Sequence, residues 1–410
     1  MTVWARTMLR LVAVLGAAVC APAQSVAVLP FANVSATSGN LDWIGESIAE
    51  TLREALASKN IVTLERDGIE TAFGKLRLKS HAAITEASAL KLGKELDAEQ
   101  ILYGTFVFAA SAAAAAPAGA ATGSRGSLRI AARLIDRRKL RSIGDATENG
   151  ALEDLAKLEA HLAWRALTLL APGSAPPEAE AASLRPDIRL DAEESFIRGL
   201  MAAGSDQEKY FRQAASLEPR YSRPALHLGK ILYERKQYRD GASWLERVGA
   251  ADPRHRHASF LLGLARFELG DYAVAQRAFQ SIAQEVPLSE VFNNLAAAES
   301  RRNLPQAEDD FRKALEGDSN DVDYHFNLGY VLWKKNDFSG AADQFREVLV
   351  RNPGDQVATL LLGRCLKKQG LRLGDTKGPD ARFQALERMK TNYEEKAYRQ
   401  LKSVLESKTK

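Results

Sequence analysis

The stretch YHFNLGYVLWKKNDFSGAADQFREVLVRNP, Tyr324 to Pro353, decides how the larger part of this chain folds. Leu328-Gly329 sets a large apolar residue beside a small one, Ala341 supplies a second small residue, Phe345 follows one turn on, and Pro353 ends the unit. Small residues are needed where two helices touch, and proline stops a helix because it lacks the backbone N–H and clashes with the preceding turn. The stretch therefore predicts two helices packed through Gly329 and Ala341.

The pattern recurs at a step of about 34 residues. Leu-small pairs stand at Leu228-Gly229, Leu262-Gly263, Leu295-Ala296 and Leu362-Gly363. The second helices repeat a small and a large residue as Gly241 with Leu245, Ala275 with Phe279, and Ala307 with Phe311; Pro219, Pro253, Pro287, Ser319 and Pro353 punctuate the ends. This period and spacing resemble the tetratricopeptide repeat. Residues 191–219 read as a degenerate first repeat, and better ones follow at 222–255, 256–288, 289–321 and 322–355. The repeats span 191–380, the last one interrupted by an insertion at Gly370 to Asp380. Residues 381–410 then predict one or two capping helices, with Phe383, Leu386, Met389, Tyr393, Tyr398 and Leu401 inward, because a solenoid needs a polar outer cap.

The resemblance implies that the first helices line a groove through positions two before and two, five and six after the Leu of each pair. The aromatic and basic candidates there are Lys230, Tyr233, Phe260, Phe267, Arg301, Phe326, Tyr330, Trp333, Lys334, Arg364 and Lys367. Aromatics flanked by cations suit a protein or peptide partner with apolar anchors and some acid, bound extended or as a helix. Packing of several of these aromatics against neighbouring helices is the alternative. The Lys and Asn pattern with which some members of the class clamp a terminal carboxylate is not reproduced. Asn294 and Asn327 stand where asparagine is common in these repeats for structural reasons.

At the other end, Arg6 and Arg10 precede an apolar run from Leu11 to Val19, and Ala21-Pro22-Ala23 forms a small-x-small site, so residues 1–23 read as a secretory signal peptide cleaved after Ala23. The expected location is periplasmic or secreted. Lipidation at Cys20 is the alternative, disfavoured by Ala17, Ala18 and Val19 before it. Cleavage leaves Cys365 as the lone thiol, read as a small buried apolar residue. Net charge is +4, which does not suit nucleic-acid binding. From Arg364 to Lys410, 13 Lys or Arg face 6 Asp or Glu; this is a solvated helix face, with contact to an acidic partner or a peripheral association with anionic lipid left open.

Between the leader and the repeats, Ser25 to Phe31 predicts a strand buried on both faces, Leu41 to Ala57 a helix, Ile61 to Leu64 a short strand and Ile84 to Leu96 a helix. Ile101 to Phe108 and Leu128 to Asp136 predict paired strands around a flexible Ala109 to Arg125 loop, and Leu152 to Leu170 a closing helix. The fold class is thus a small α/β amino-terminal domain, residues 25–170, followed by an all-α solenoid. Pro172, Pro176 and Pro177 mark 171–190 as an exposed linker.

Val26-Ala27-Val28-Leu29-Pro30-Phe31 with Asn33, Leu41-Asp42-Trp43-Ile44-Gly45-Glu46, Tyr103-Gly104-Thr105-Phe106 and Leu128 to Asp136 resemble the TolB amino-terminal-type α/β domain, with a similar opening in CsgG-like secretion proteins. The resemblance implies that fold and work in cell-envelope protein assemblies. The chain has neither the cyclase nor the DNA-binding module of fused relatives.

Catalytic motifs are missing: no phosphate-binding glycine loop, no Gly-x-Ser-x-Gly and no His-Glu-x-x-His. His255 and His257 lie in an inter-repeat turn without a ligand set for a metal, the turn Arg137-Arg138-Lys139 reads as solvated, and Asp42 with Glu46 reads as a helix-start feature. No cofactor is implied. These readings converge on a non-catalytic exported adaptor that binds protein partners through the repeat groove. The alternative is a ligand-sensing or envelope-assembly component in which the α/β domain carries specificity and the repeats only multimerise.

Overall fold

The computed structural model describes residues 25–35, 40–111, 126–185, 188–371, 385–395 and 397–399. The expected leader with Cys20, most of the Ala109 to Arg125 loop and residues 401–410 of the expected cap lie outside them. The chain divides into two units, residues 1–187 with 400–410, and residues 188–399.

The first unit holds strands β1 (Ser25–Val28), β2 (Ala32–Asn33), β3 (Val62–Thr63), β4 (Gln100–Ala110), β5 (Gly126–Asp136) and β6 (Arg141–Ala151), with helices α1 (Asp42–Ser58), α2 (Arg66–Lys75), α3 (Glu86–Glu95) and α4 (Leu155–Leu170). The sheet order is β3-β1-β4-β5-β6, with β2 on β4. The pairs of β1 with β3 and β4 are parallel, and those of β5 with β4 and β6 are antiparallel. As expected, β1 is buried on both faces: Val26, Ala27, Val28 and Leu29 are all inaccessible. Ala27 and Leu29 join Ile69, Phe73 and Leu92 of α2 and α3 in one core. On the other face Leu52, Leu102, Leu134, Leu162 and Leu169 enclose a small apolar space between the sheet, α1 and α4.

Three elements were not legible as such. Strand β6 is polar and half-exposed, and its evidence is steric: Gly144, Ala146 and Gly150 alternate on the face covered by Leu169 and Leu158 of α4. Helix α2 carries Ile69, Ala72 and Phe73 at helical spacing but also Gly68 and Gly74, which weaken the local signal. The segment 171–185 is mostly exposed, with only Ala181 buried, but it is not featureless. Its two short 3-10 turns lie along α4, where Trp164 Nε1 donates to Pro176 O at 2.9 Å and Arg185 pairs with the buried Glu159 at 2.9 Å.

Glu46 also departs from its expected role as a helix-start carboxylate. It is fully buried, 2.7 Å from Arg53 and 3.2 Å from Arg66, and Arg53 Nη1 donates to Val28 O at 2.9 Å, tying α1 to the sheet. Burial opposes the Arg53 charge, but Glu50 and Glu46 outweigh it and raise its pKa.

The second unit is a run of helices: α5 (Leu190–Met201), α6 (Ser205–Leu217), α7 (Ser222–Glu234), α8 (Tyr238–Leu245), α9 (His255–Glu268), α10 (Tyr272–Glu285), α11 (Ser289–Arg301), α12 (Ala307–Gly317), α13 (Val322–Lys334), α14 (Phe338–Arg351) and α15 (Gln356–Leu366). From α5 to α14 each consecutive pair is one repeat, α15 opens another, and from α7 to α15 the first helices of neighbouring repeats touch one another to make one wall. The repeated small residue does what its spacing predicts. A Cβ on Gly229 would lie 2.4 Å from Leu245 Cγ, and one on Gly263 would lie 2.6 Å from Phe279 Cζ. The helices can close to that distance only because the small residue is there. No helix among the described residues is long and apolar enough to cross a membrane.

Candidate functional site

The wall of first helices is not bare. Residues 386–394, expected as capping helix, form no helix; they run along α9, α11 and α13. Their backbone is held by side-chain amides. Arg388 N–H donates to Asn327 Oδ1 at 2.8 Å, and Asn327 Nδ2 and Asn293 Nδ2 donate to Arg388 O at 2.8 and 2.9 Å. Two residues on, Lys390 N–H donates to Asn294 Oδ1 and Asn294 Nδ2 to Lys390 O, both at 2.8 Å. Residues two apart that present backbone to the same wall have the period of an extended chain. Asn293, Asn294 and Asn327 are all inaccessible to solvent, and Asn327 Nδ2 also donates to Asn293 Oδ1 at 2.8 Å.

The side chains of the segment fall into charged places on the wall. Glu387, its carboxylate fully buried, accepts from Ser300 Oγ at 2.7 Å and pairs with Arg301 and, at 3.7 Å, with Lys334. Burial lowers the Lys334 pKa against the raising effect of Glu387. Arg388 lies on the ring of Phe326, 3.5 Å from its centroid, with Asp355 at 2.7 Å and Asp323 at 3.4 Å. The Lys390 ammonium meets Asp321 at 2.7 Å and Asp323 at 2.8 Å. Burial would lower its pKa, but these hydrogen bonds win and raise it. Further along, Tyr393 packs between Phe260, at 4.9 Å between centroids, and His257, at 5.4 Å. Burial holds the His257 pKa below its usual value. Glu394 N–H donates to Glu290 Oε1 at 2.8 Å, and Glu395 accepts from Arg256 at 2.8 Å.

The expected groove residues divide into three sets. Phe260, Arg301, Phe326, Tyr330 and Lys334 meet the segment directly, Tyr330 through a hydrogen bond with the backbone of Leu386. Phe267 is buried against Tyr272 and Arg301, and Tyr330 is buried and stacked on Trp333. Trp333 Nε1 donates to Gln369 O at 2.8 Å, and Arg364 lies over the Trp333 ring. Among the described residues, Lys230, paired loosely with Glu234, Tyr233, packed on Tyr238, and the exposed Lys367 make no contact of this kind. The expected partner with apolar anchors and some acid describes only part of what lies on the wall: Arg301 and Lys334 serve one acid, while Asp321, Asp323 and Asp355 serve two cations.

Asn294 and Asn327, read as structural, bind peptide backbone instead. The available signal was their equivalent place in successive repeats, on the wall side with Asn293 and next to the groove position Phe326. The acidic triplet gave a weaker one, as Asp321 and Asp355 occupy the same helix-start position, where each caps its helix.

Elsewhere, ligand-type atoms of Glu46, Glu70 and His81 lie within 4.8 Å of one another. Arg53 and Arg66 already stand against Glu46, so the cluster is better matched to its own cations than to a metal. Cys365 is buried as expected, and burial pushes its thiol up to about 11, away from reactivity.

No curated protein matches the chain. Among solved structures it is similar to MamA of Desulfovibrio magneticus RS-1 from position 41 to its end, at 19% identity over 40% of this chain and 97% of that one, TM-score 0.38. It is likewise similar to YrrB, at 17% identity over 49% and 98%, TM-score 0.35, and to pilF of Pseudomonas aeruginosa, at 18% identity over 43% and 83%, TM-score 0.37. Residues 226–290 and 296–370 match the tetratricopeptide repeat family, so these stretches of the helical unit are tetratricopeptide repeats.

Proposed function

We propose that the chain is a non-catalytic adaptor, exported to the periplasm or beyond, whose repeat wall holds an extended stretch of a protein partner. The observation that carries this reading is the amide clamp: Asn294 and Asn327 each satisfy both backbone groups of one residue in an extended peptide. Such a clamp grips any chain by its backbone and leaves selectivity to the side-chain places around it. Tetratricopeptide proteins are generally interaction scaffolds, which supports the same reading. Export is supported by the leader pattern around Arg6, Arg10 and Leu11 to Val19, and envelope work by the resemblance of residues 25–170 to the TolB-type domain.

The test is crosslinked capture in intact cells with the full chain and with an Asn294→Ala/Asn327→Ala variant that keeps its helical circular dichroism. A defined partner caught by the first and lost by the second supports the adaptor. Equal capture by both moves recognition off the wall. Mass spectrometry of the exported chain should find Gln24 at its amino terminus; a retained Met1, or lipid on Cys20, opposes the cleavage proposed.

One observation favours the second reading, in which the α/β unit carries specificity: the wall is already filled by residues 386–395. A partner captured equally by the wild-type chain and the asparagine variant is the result that reading requires.

A further inference from the structure

Resting on the reading of the wall as a peptide site, we infer that its ligand is an extended partner segment of defined charge order, and that residues 386–395 are an intramolecular competitor for it. The order is acid, base, apolar, base, then an aromatic three residues on, as in Glu387, Arg388, Met389, Lys390 and Tyr393.

The places that read this order belong to the wall. Ser300, Arg301 and Lys334 converge on one carboxylate; Phe326 with Asp323 and Asp355 receives a guanidinium; Asp321 and Asp323 receive an ammonium; Phe260 and His257 receive a ring. All are carried by helices or helix starts of successive repeats, so their spacing along the ligand is set before it arrives. A segment with the signs reversed would face like charges at three places, which works against the wrong partner as strongly as the right signs favour the right one.

The contacts also suit release. They are mostly hydrogen bonds and ion pairs, whereas the segment's apolar Leu386 and Met389 are only partly buried. A piece of chain fixed as part of the core would bury apolar surface instead. Polar contacts can be passed one by one to an equivalent peptide. Because it is tethered, the internal segment competes at an effective concentration on the order of millimolar. The apparent affinity for a partner segment is then reduced by the fraction of walls standing open.

The test uses a fluorescent peptide of residues 385–395 (ALERMKTNYEE) and the full chain from Gln24. Arg388→Ala in the chain weakens the internal segment while leaving the wall intact, and the peptide should bind this variant about tenfold tighter than the wild type. Tyr393→Ala in the chain should act in the same direction. Adding Asn294→Ala/Asn327→Ala to either should abolish binding. A peptide carrying Glu387→Arg, Arg388→Glu and Lys390→Glu should not bind.

Equal affinity for the wild-type and Arg388→Ala chains would overturn the competitor. So would no peptide binding by Arg388→Ala when hydrogen exchange shows residues 386–394 released, since the segment would then be a structural part of the unit. Light scattering that finds a dimer, with crosslinks from residues 386–395 of one copy to α11 of another, assigns the site to a second copy and also overturns it. Binding that needs the asparagines but ignores charge order overturns this inference and leaves the adaptor reading standing; cellular capture indifferent to the asparagines removes the adaptor reading itself.

Discussion

Asn327 and Arg388, 61 positions apart, form a closed pair: the Arg388 N–H donates to Asn327 Oδ1, and Asn327 Nδ2 donates to the Arg388 carbonyl, each at 2.8 Å. Neither backbone group needs a helix or a sheet once this pair exists. An unpaired buried amide is costly, so the asparagine and the extended segment hold each other in place.

Asn327→Ala removes two hydrogen bonds to the segment and one to Asn293, at about 1 kcal/mol each. Amide hydrogen exchange across residues 386–394 is expected to speed up by one to two orders of magnitude while the buried amides of α13 stay protected. Asn327→Asp, which accepts but does not donate, should fall between the two. Unchanged protection in the alanine variant would show that the clamp does not hold the segment.

Glu387→Leu leaves Arg301 and Lys334, whose side chains are only 16% and 17% exposed, facing each other without their carboxylate. Stranding paired charges in this way costs on the order of 2–3 kcal/mol. Urea denaturation should show the loss, and Lys334→Met in the same chain should recover part of it. A single-variant loss below about 0.5 kcal/mol would mean that solvent already screens the cluster.

Burial and the neighbouring Asp310 push the Glu299 carboxyl up from 4.5 to about 7. A folded value above the unfolded one means that the native state keeps a proton the unfolded chain releases. The stability this contributes is whole below about pH 4.5 and is lost as the pH rises through about 7. Glu299→Gln should therefore change little at pH 5 and stabilise by ~1 kcal/mol at pH 8. Unfolding midpoints of both chains at the two pH values check this, and an equal effect at both contradicts it.

The repeat glycines are not equivalent. Gly263→Ala places a Cβ 2.6 Å from the Phe279 ring and should cost ~1–3 kcal/mol. Gly363→Ala meets nothing within 4 Å among the described residues. It should be neutral or stabilise by up to ~1 kcal/mol through helix propensity. Thermal melts separate the pair, and a destabilising Gly363→Ala would place a neighbour against that helix.

Much of the helical unit was legible because its information is local and repeated. Leu228-Gly229 and Leu262-Gly263 specify a close helix contact wherever they recur, and the helix ends follow from the turns between them. The strand β1 was legible for a similar reason, as four consecutive apolar residues suit burial on both faces. Strand β6 was not, because its small residues answer Leu158 and Leu169 of a later helix. Of the wall, the places of Phe260, Arg301, Phe326, Tyr330 and Lys334 followed from repeat register, while Lys230, Tyr233 and Lys367, chosen by the same register, do not touch the segment among the described residues. The asparagines and Asp321, Asp323 and Asp355 were not legible, since each is also an ordinary surface or capping residue until something lies against it.

By itself the sequence determined the order of elements, the repeat length and the residues at which helices touch, all properties of spacing within a few turns. Only the tertiary structure decided the state of residues 386–394. Leu386, Met389 and Tyr393 recur at three- and four-residue intervals and so satisfy a helix pattern as well. A helix would satisfy the backbone internally; Asn293, Asn294 and Asn327 satisfy it from 61 to 96 positions away, while Arg301 and Lys334 receive Glu387, and Asp321, Asp323 and Asp355 receive Arg388 and Lys390. That competition cannot be read from local spacing, because the winning partners exist as a surface only after the repeats have stacked.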